Sequence, residues 1–140
     1  MRHLDTEFAQ ECITRIRKIP DDAKPVEHLL FTMKNTLKPG RIPDASTWFS
    51  RNVLRWLLLW GIAPIPKNVQ LPAQYRKRGI TFREPGDLED LEAALEKYLQ
   101  LVQTGDFAPP NHPILGKIGI DGWSVFHVRH INHHLKQFGV

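Results

Sequence analysis

The sequence predicts an all-α fold: a four-helix bundle with one extra apolar helix and a long proline-rich connection, forming a single domain over residues 1–140. Three observations carry this. Several stretches repeat apolar residues every three or four positions, the spacing that gathers them on one side of a helix. No stretch reads as a strand, and no internal repeat is visible. Proline and glycine close the periodic stretches and fill the segments between them.

The first helix is expected over residues 4–18. Asp5 or Thr6 can cap it, Glu7 and Glu11 suit its positive end, and Arg15, Arg17 and Lys18 suit its negative end. Phe8, Cys12, Ile13 and Ile16 form its apolar stripe, and Pro20 to Pro25 stops it. A second helix runs from Val26 to Leu37, with Leu29, Leu30, Met33 and Leu37 on one side. His28 lies in its first turn, beside Thr32 and Asn35 and off the apolar side. Ser46 and Thr47 offer cap chemistry to a third helix, Trp48 to Trp60, which is apolar nearly all round. Such a helix is central to a core or pressed against another subunit, and the core position is the expectation. Residues 62–86 form an irregular connection of about 25 residues, a length more often found around a site or an interface than as a plain linker. Asp87 or Gly86 starts the next helix, which carries Leu88, Leu91, Leu95, Tyr98, Leu99 and Val102 and ends at Gly105. After a loop containing His112-Pro113, the last helix is expected to be capped by Asp121 and to run to Gln137.

Composition narrows the function classes. An apolar share of 41% and a charged share of 24% are ordinary for a globular protein with a core. The single cysteine, Cys12, excludes a disulfide framework within the chain, and its place on an apolar stripe marks a buried structural thiol. The N-terminus lacks the apolar core of a secretory signal, and Val53 to Ile65 is too short and too interrupted to cross a bilayer. The expectation is therefore a cytoplasmic protein with no membrane partner. The formal charge of +4 is a mild basic bias; Arg76-Lys77-Arg78 reads as a solvated loop, and a nucleic-acid partner is not expected.

The chemistry concentrates at the C-terminus. Four of the seven histidines fall within eight positions: His127, His130, His133 and His134. On a helix, His127, His130 and His134 share a stripe with Trp123, and His133 turns away by roughly 100°. This stripe runs beside the expected buried seam of Val128, Ile131, Leu135 and Phe138. A His-x-x-x-His pair can place two imidazoles on one divalent metal. Imidazoles at a helix C-terminus are also favoured by the helix dipole, so spacing leaves both readings open.

The segment His130-Ile-Asn-His133-His134-Leu-Lys-Gln137-Phe138-Gly139, preceded by His112-Pro113-Ile-Leu-Gly116-Lys and Trp123, resembles the DinB-like metal-binding four-helix family. The closest likeness is to its uncharacterised branch with an HHLxQFG tail; Pro64-Ile-Pro66-Lys67 resembles that branch's proline-lysine turn. The resemblance implies a three-histidine site: His28 from the second helix, in Glu27-His28-Leu29-Leu30, with the pair His130 and His134. It leaves His127 beside the site and His133 at the surface. One departure stands out. The branch carries a Trp-Gly-x-Met stretch and about a turn and a half more helix before its first histidine, whereas Pro25-Val26 here runs almost directly into Glu27-His28. Either the second helix is shortened, with His28 in a frayed first turn, or residues are missing at this point.

Three neutral imidazoles leave open positions on a divalent ion such as zinc, nickel or iron, as catalytic sites do. By analogy with its relatives the chain is expected to be a metal-dependent thiol transferase or hydrolase acting on a small molecule. A non-catalytic metal-binding or interaction module, stable as a homodimer through the Trp48 to Trp60 helix, is the other expectation. Gln137, one turn past His134, is placed to hydrogen-bond a ligand or to stand at the surface; Glu27 is expected to be exposed.

Overall fold

The computed structural model of the protein describes residues 2–40, 42–61 and 73–140. Its helices are α1 (Thr6–Arg17), α2 (Val26–Leu37), α3 (Ala73–Lys77), α4 (Leu88–Thr104) and α5 (Gly119–Lys136), with a helical segment at residues 48–60 between α2 and α3. The expected all-α class is borne out, with no strand among the described residues.

Local chemistry sets the ends. Asp5 caps α1 by accepting a hydrogen bond from the Phe8 amide at 2.8 Å. Asp87 and Asp90 close α4 with a reciprocal capping box, at 3.0 and 2.9 Å. Gly105 ends α4 in the left-handed region (φ 78°), where its amide and that of Asp106 satisfy the carbonyls of Val102 and Leu101. Asp121 is not the cap of α5, as the sequence suggested. The helix starts earlier, at Gly119, and Asp121 falls in its first turn, where its charge still suits the positive end.

Helices α1, α2, α4 and α5 share one core, built from Phe8, Cys12 and Ile16 of α1, Leu29, Leu30 and Met33 of α2, Leu91, Leu95 and Tyr98 of α4, and Trp123, Ile131 and Leu135 of α5. Each such side chain contributes about 1.5–3 kcal/mol by leaving water. Cys12 is completely buried, and that burial pushes its thiol up to about 12, so it is a structural thiol as expected. Gly86 lies against this core. A Cβ there would come within 2.5 Å of Leu30 Cδ2, so glycine lets the chain pass over α2 and enter α4.

Two expectations are corrected. Phe138 does not continue the buried seam of α5; it lies past the helix end and is exposed. The helix from Trp48 to Trp60 is not a core helix. Of the two expected cap residues Thr47 serves, in a reciprocal pair with Ser50, but the hydrogen bonds of the helix are wide: the Arg55 amide reaches Ser50 O and the Gly61 amide reaches Trp56 O, five residues back. Among the described residues it meets the bundle through one side, with Leu59 packed on Leu115 and Val125, and Trp48, Phe49, Trp56, Leu57 and Trp60 are exposed.

The Pro64 to Lys67 turn lies outside the described residues. From residue 73 the connection contains α3, which the periodicity did not announce. Its Tyr75 is buried, donates a hydrogen bond to Pro43 O at 2.6 Å and lies with its ring tilted against Phe82 at 5.8 Å. The segment beyond α3 then lies against the first turn of α2, with the Glu84 amide bonded to Glu27 O at 3.0 Å.

Candidate metal centre

Helix α2 begins at Val26 with no side-chain cap, so His28 stands in its first turn. It is held there. Its Nδ1 lies 2.9 Å from the Phe82 carbonyl oxygen, which can only accept, so Nδ1 carries the proton and Nε2 is left with its lone pair. Phe82 is fixed in turn by its ring against Phe31 at 5.5 Å. The backbone carbonyl of the connection thus ties the first turn of α2 down at His28.

His130 and His134 stand one turn apart on α5. His130 Nε2 lies 3.1 Å from His28 Nε2 and 3.1 Å from His134 Nε2. The three residues are the group among the described residues whose His, Cys or carboxylate atoms come close enough to hold a metal ion, all within 4.8 Å. An ion bound at the roughly 2.0–2.1 Å usual for imidazole nitrogen keeps its ligands about 3–3.4 Å apart, which matches the two 3.1 Å spacings that His130 makes.

Protons alone fit this arrangement poorly. If His130 Nε2 carries a lone pair, it faces the lone pair of His28. If it carries the proton, its buried Nδ1 is an acceptor with no hydrogen-bond partner. Nor is the group inclined to charge itself. Burial, then the neighbouring His28 and His134, holds His130 well below the ordinary imidazole range. Burial, then His28 and His133, pull His134 down to about 4, against a hydrogen bond to Gln137 that favours the charged ring and pulls it up. Burial also lowers His28, although the Phe82 carbonyl favours its charged form. Three neutral imidazoles this close together are a donor set that could hold one divalent cation.

The surroundings orient the ligands. The Phe126 ring stacks on His130 at 5.3 Å and 10°. Gln137 is exposed and its side chain also hydrogen-bonds His134, so both roles expected of it are seen. On its outer side the cluster meets a cavity of about 820 Å³, whose wall includes His28, His134, Gln137, Glu27, Arg83 and Phe138. Glu27 is exposed, as expected.

The other histidines stay out of the cluster. His127 is buried, sits with its Nε2 3.2 Å from Thr36 Oγ1, and stacks on Trp123 at 5.5 Å. Burial lowers it to about 3. His133 is half-buried rather than fully at the surface, its ring 5.3 Å from that of His134. His112 plays a part that sequence reasoning did not assign. Its Nδ1 accepts from the amides of Ile114 and Leu115, both at 3.1 Å, and its ring packs on Phe126 at 4.6 Å, which ties the loop before α5 to the residue stacked on His130. The His-Pro turn was the available signal.

Fold and site together define an all-helical protein with a three-histidine cluster able to hold a metal ion. The chain belongs to the family described as Protein of unknown function (DUF1569), whose model matches residues 21–139. No curated protein and no solved structure matches it.

Proposed function

We propose that this chain is a divalent-metal protein of DinB-like type, with His28, His130 and His134 as ligands to zinc, nickel or iron, that catalyses transfer of a thiol or hydrolysis on a small molecule. The observation that carries this is the meeting of three imidazole Nε2 atoms from two helices, with His130 3.1 Å from each of the others. The second helix supplies one histidine and the last an His-x-x-x-His pair, followed by the His133-His134-Leu135-Lys136-Gln137-Phe138-Gly139 tail; both features support the DinB-like assignment. When bound, a divalent ion with three protein ligands lowers the pKa of a water or thiol in its open positions.

The chain's own residues supply the rest. The Phe82 carbonyl fixes the protonated nitrogen of His28, and Gln137 and Phe126 fix the rings of His134 and His130. The adjoining cavity gives a small molecule access to His28 and His134. A closed structural site would need no such space.

The test is an assay of metal-loaded protein against the His130→Ala/His134→Ala variant, for thiol addition to an electrophile and for ester or amide hydrolysis. Wild-type rates well above the variant in one of the two reactions are expected. Equal rates in both would remove the enzyme and leave the second reading, a non-catalytic metal-binding interaction module, which the exposed aromatic side of the 48–60 helix favours.

A further inference from the structure

Large aromatic side chains stand in solvent along one short helix. Trp48 is 69% exposed, Phe49 56%, Trp56 58%, Leu57 46% and Trp60 38%. Asn52, one turn from both Trp48 and Trp56, spends its amide on Trp48 O at 2.8 Å. Leaving this much apolar surface in water is costly, and on soluble chains such patches mark contact with another body.

The charge around the patch is one-sided. Between Asp44 and Glu84 the sequence has no aspartate or glutamate, but it has seven lysines and arginines, among them Arg51, Arg55 and the run Arg76-Lys77-Arg78. The whole chain is only +4, so the remainder is net acidic. The run is exposed at the end of α3, and α3 is fastened beside the start of the aromatic helix: Tyr75 Oη donates to Pro43 O and Gln74 Nε2 to Asp44 O, four residues before Trp48. The nearby carboxylate, Asp44, already accepts the Ser46 amide at 2.8 Å. Arg51 and Arg55 hydrogen-bond neutral groups, Ser46 Oγ and Lys117 O, and among the described residues none of these five cations is in an ion pair.

We propose that this face docks the protein on an anionic lipid surface, the tryptophans, Phe49 and Leu57 entering the headgroup boundary while Arg51, Arg55 and Arg76-Lys77-Arg78 meet lipid phosphates. Tryptophan with flanking arginine and lysine is the side-chain set that favours that boundary. A second copy fits less well, because a two-fold pairing would set this cationic face against itself, with Asp44 the nearby carboxylate to offset it. A nucleic acid would use the same charge, but Phe49 and Leu57 in this row have no hydrogen-bonding group to offer a base edge. The attachment lies in the plane of the interface: no helix among the described residues is long and apolar enough to cross a membrane. It replaces the absence of a membrane partner expected from the sequence, and it is independent of the metal centre.

The experiment is sedimentation of the full chain with vesicles of phosphatidylcholine alone and of phosphatidylcholine mixed equally with phosphatidylglycerol. Binding to the mixed vesicles alone is expected, with a blue shift of tryptophan emission and release as salt rises. Trp48→Ser/Trp56→Ser should lower the partition by about tenfold or more with circular dichroism unchanged. Arg76→Glu/Lys77→Glu/Arg78→Glu, on exposed positions, should lower it by about fivefold or more for each charge removed. Failure of the wild type to bind the mixed vesicles overturns the proposal. In that case a dimer by light scattering that the tryptophan variant abolishes would assign the face to a second copy, and retention of an oligonucleotide would assign it to nucleic acid. Undiminished vesicle binding by both variants overturns it too.

Discussion

His28 and His130, 102 residues apart in the chain, face each other through Nε2 atoms 3.1 Å apart. The pair joins the first turn of α2 to the middle of α5, so whatever the three histidines hold also holds the fold together. Metal binding is therefore predicted to stabilise the chain, by about 2.7 kcal/mol at a free ion concentration 100 times Kd. That is a rise of several degrees in Tm for a domain of this size. Thermal melts with and without zinc should show it for wild type and not for His130→Ala. An unchanged wild-type melt would contradict the link.

Phe82 is predicted to matter to the metal although it offers no ligand. Its carbonyl orients His28, and its ring holds that carbonyl in place against Phe31 and Tyr75. Phe82→Ala should cost about 1–3 kcal/mol of metal-free stability, less than a fully buried phenylalanine. It should weaken zinc by about 10–100-fold, the usual effect of losing a ligand's outer support. Competition titration against a chelator measures the second effect, and an unchanged affinity would show that the carbonyl does not need the ring.

His127 braces α5 against α2. The Thr36 hydroxyl donates to Thr32 O at 2.9 Å, so its oxygen is free to accept from His127 Nε2. Thr36→Val keeps the shape and removes the acceptor, leaving a buried N–H unpaired at a cost of about 1–3 kcal/mol. Thr36→Ser should restore most of it. Urea unfolding of the three proteins decides, and a valine variant as stable as wild type would refute the brace.

Acid should destabilise the metal-free protein earlier than its carboxylates alone would. His112 and His127 are held at about 4 and about 3 by burial, while in the unfolded chain they return to about 6.5. Their stabilisation is complete above 6.5 and is lost as pH falls, because the unfolded chain takes up protons first. Between pH 6.5 and 5 each histidine contributes a slope of about 1.4 kcal/mol per pH unit. Unfolding free energies measured in chelator at pH 7.5 and 5.5 should differ accordingly. Equal values would mean that these rings are already charged or reach water in the native state.

The sequence carried most of the helices and the His130–His134 pair, because both follow from spacing on one element. The closure of the site was less legible. His28 lies off the apolar side of α2, and nothing in its periodicity points to α5; the group that aims it is a backbone carbonyl in a segment without period. The Trp48 to Trp60 helix misled for the opposite reason. Its composition specifies a core on every side, but among the described residues the bundle meets it on one side, through Leu59. Burial depends on what stands opposite a residue, and that is a property of the assembled fold.

Metal content of the purified chain, before and after loading with zinc, nickel or iron, tests the three-histidine centre most directly. One ion per chain in the wild type, lost in His28→Ala, His130→Ala and His134→Ala with helicity retained, is the predicted result. A wild type that stays metal-free in excess of all three ions, or alanine variants that keep the ion, would contradict it.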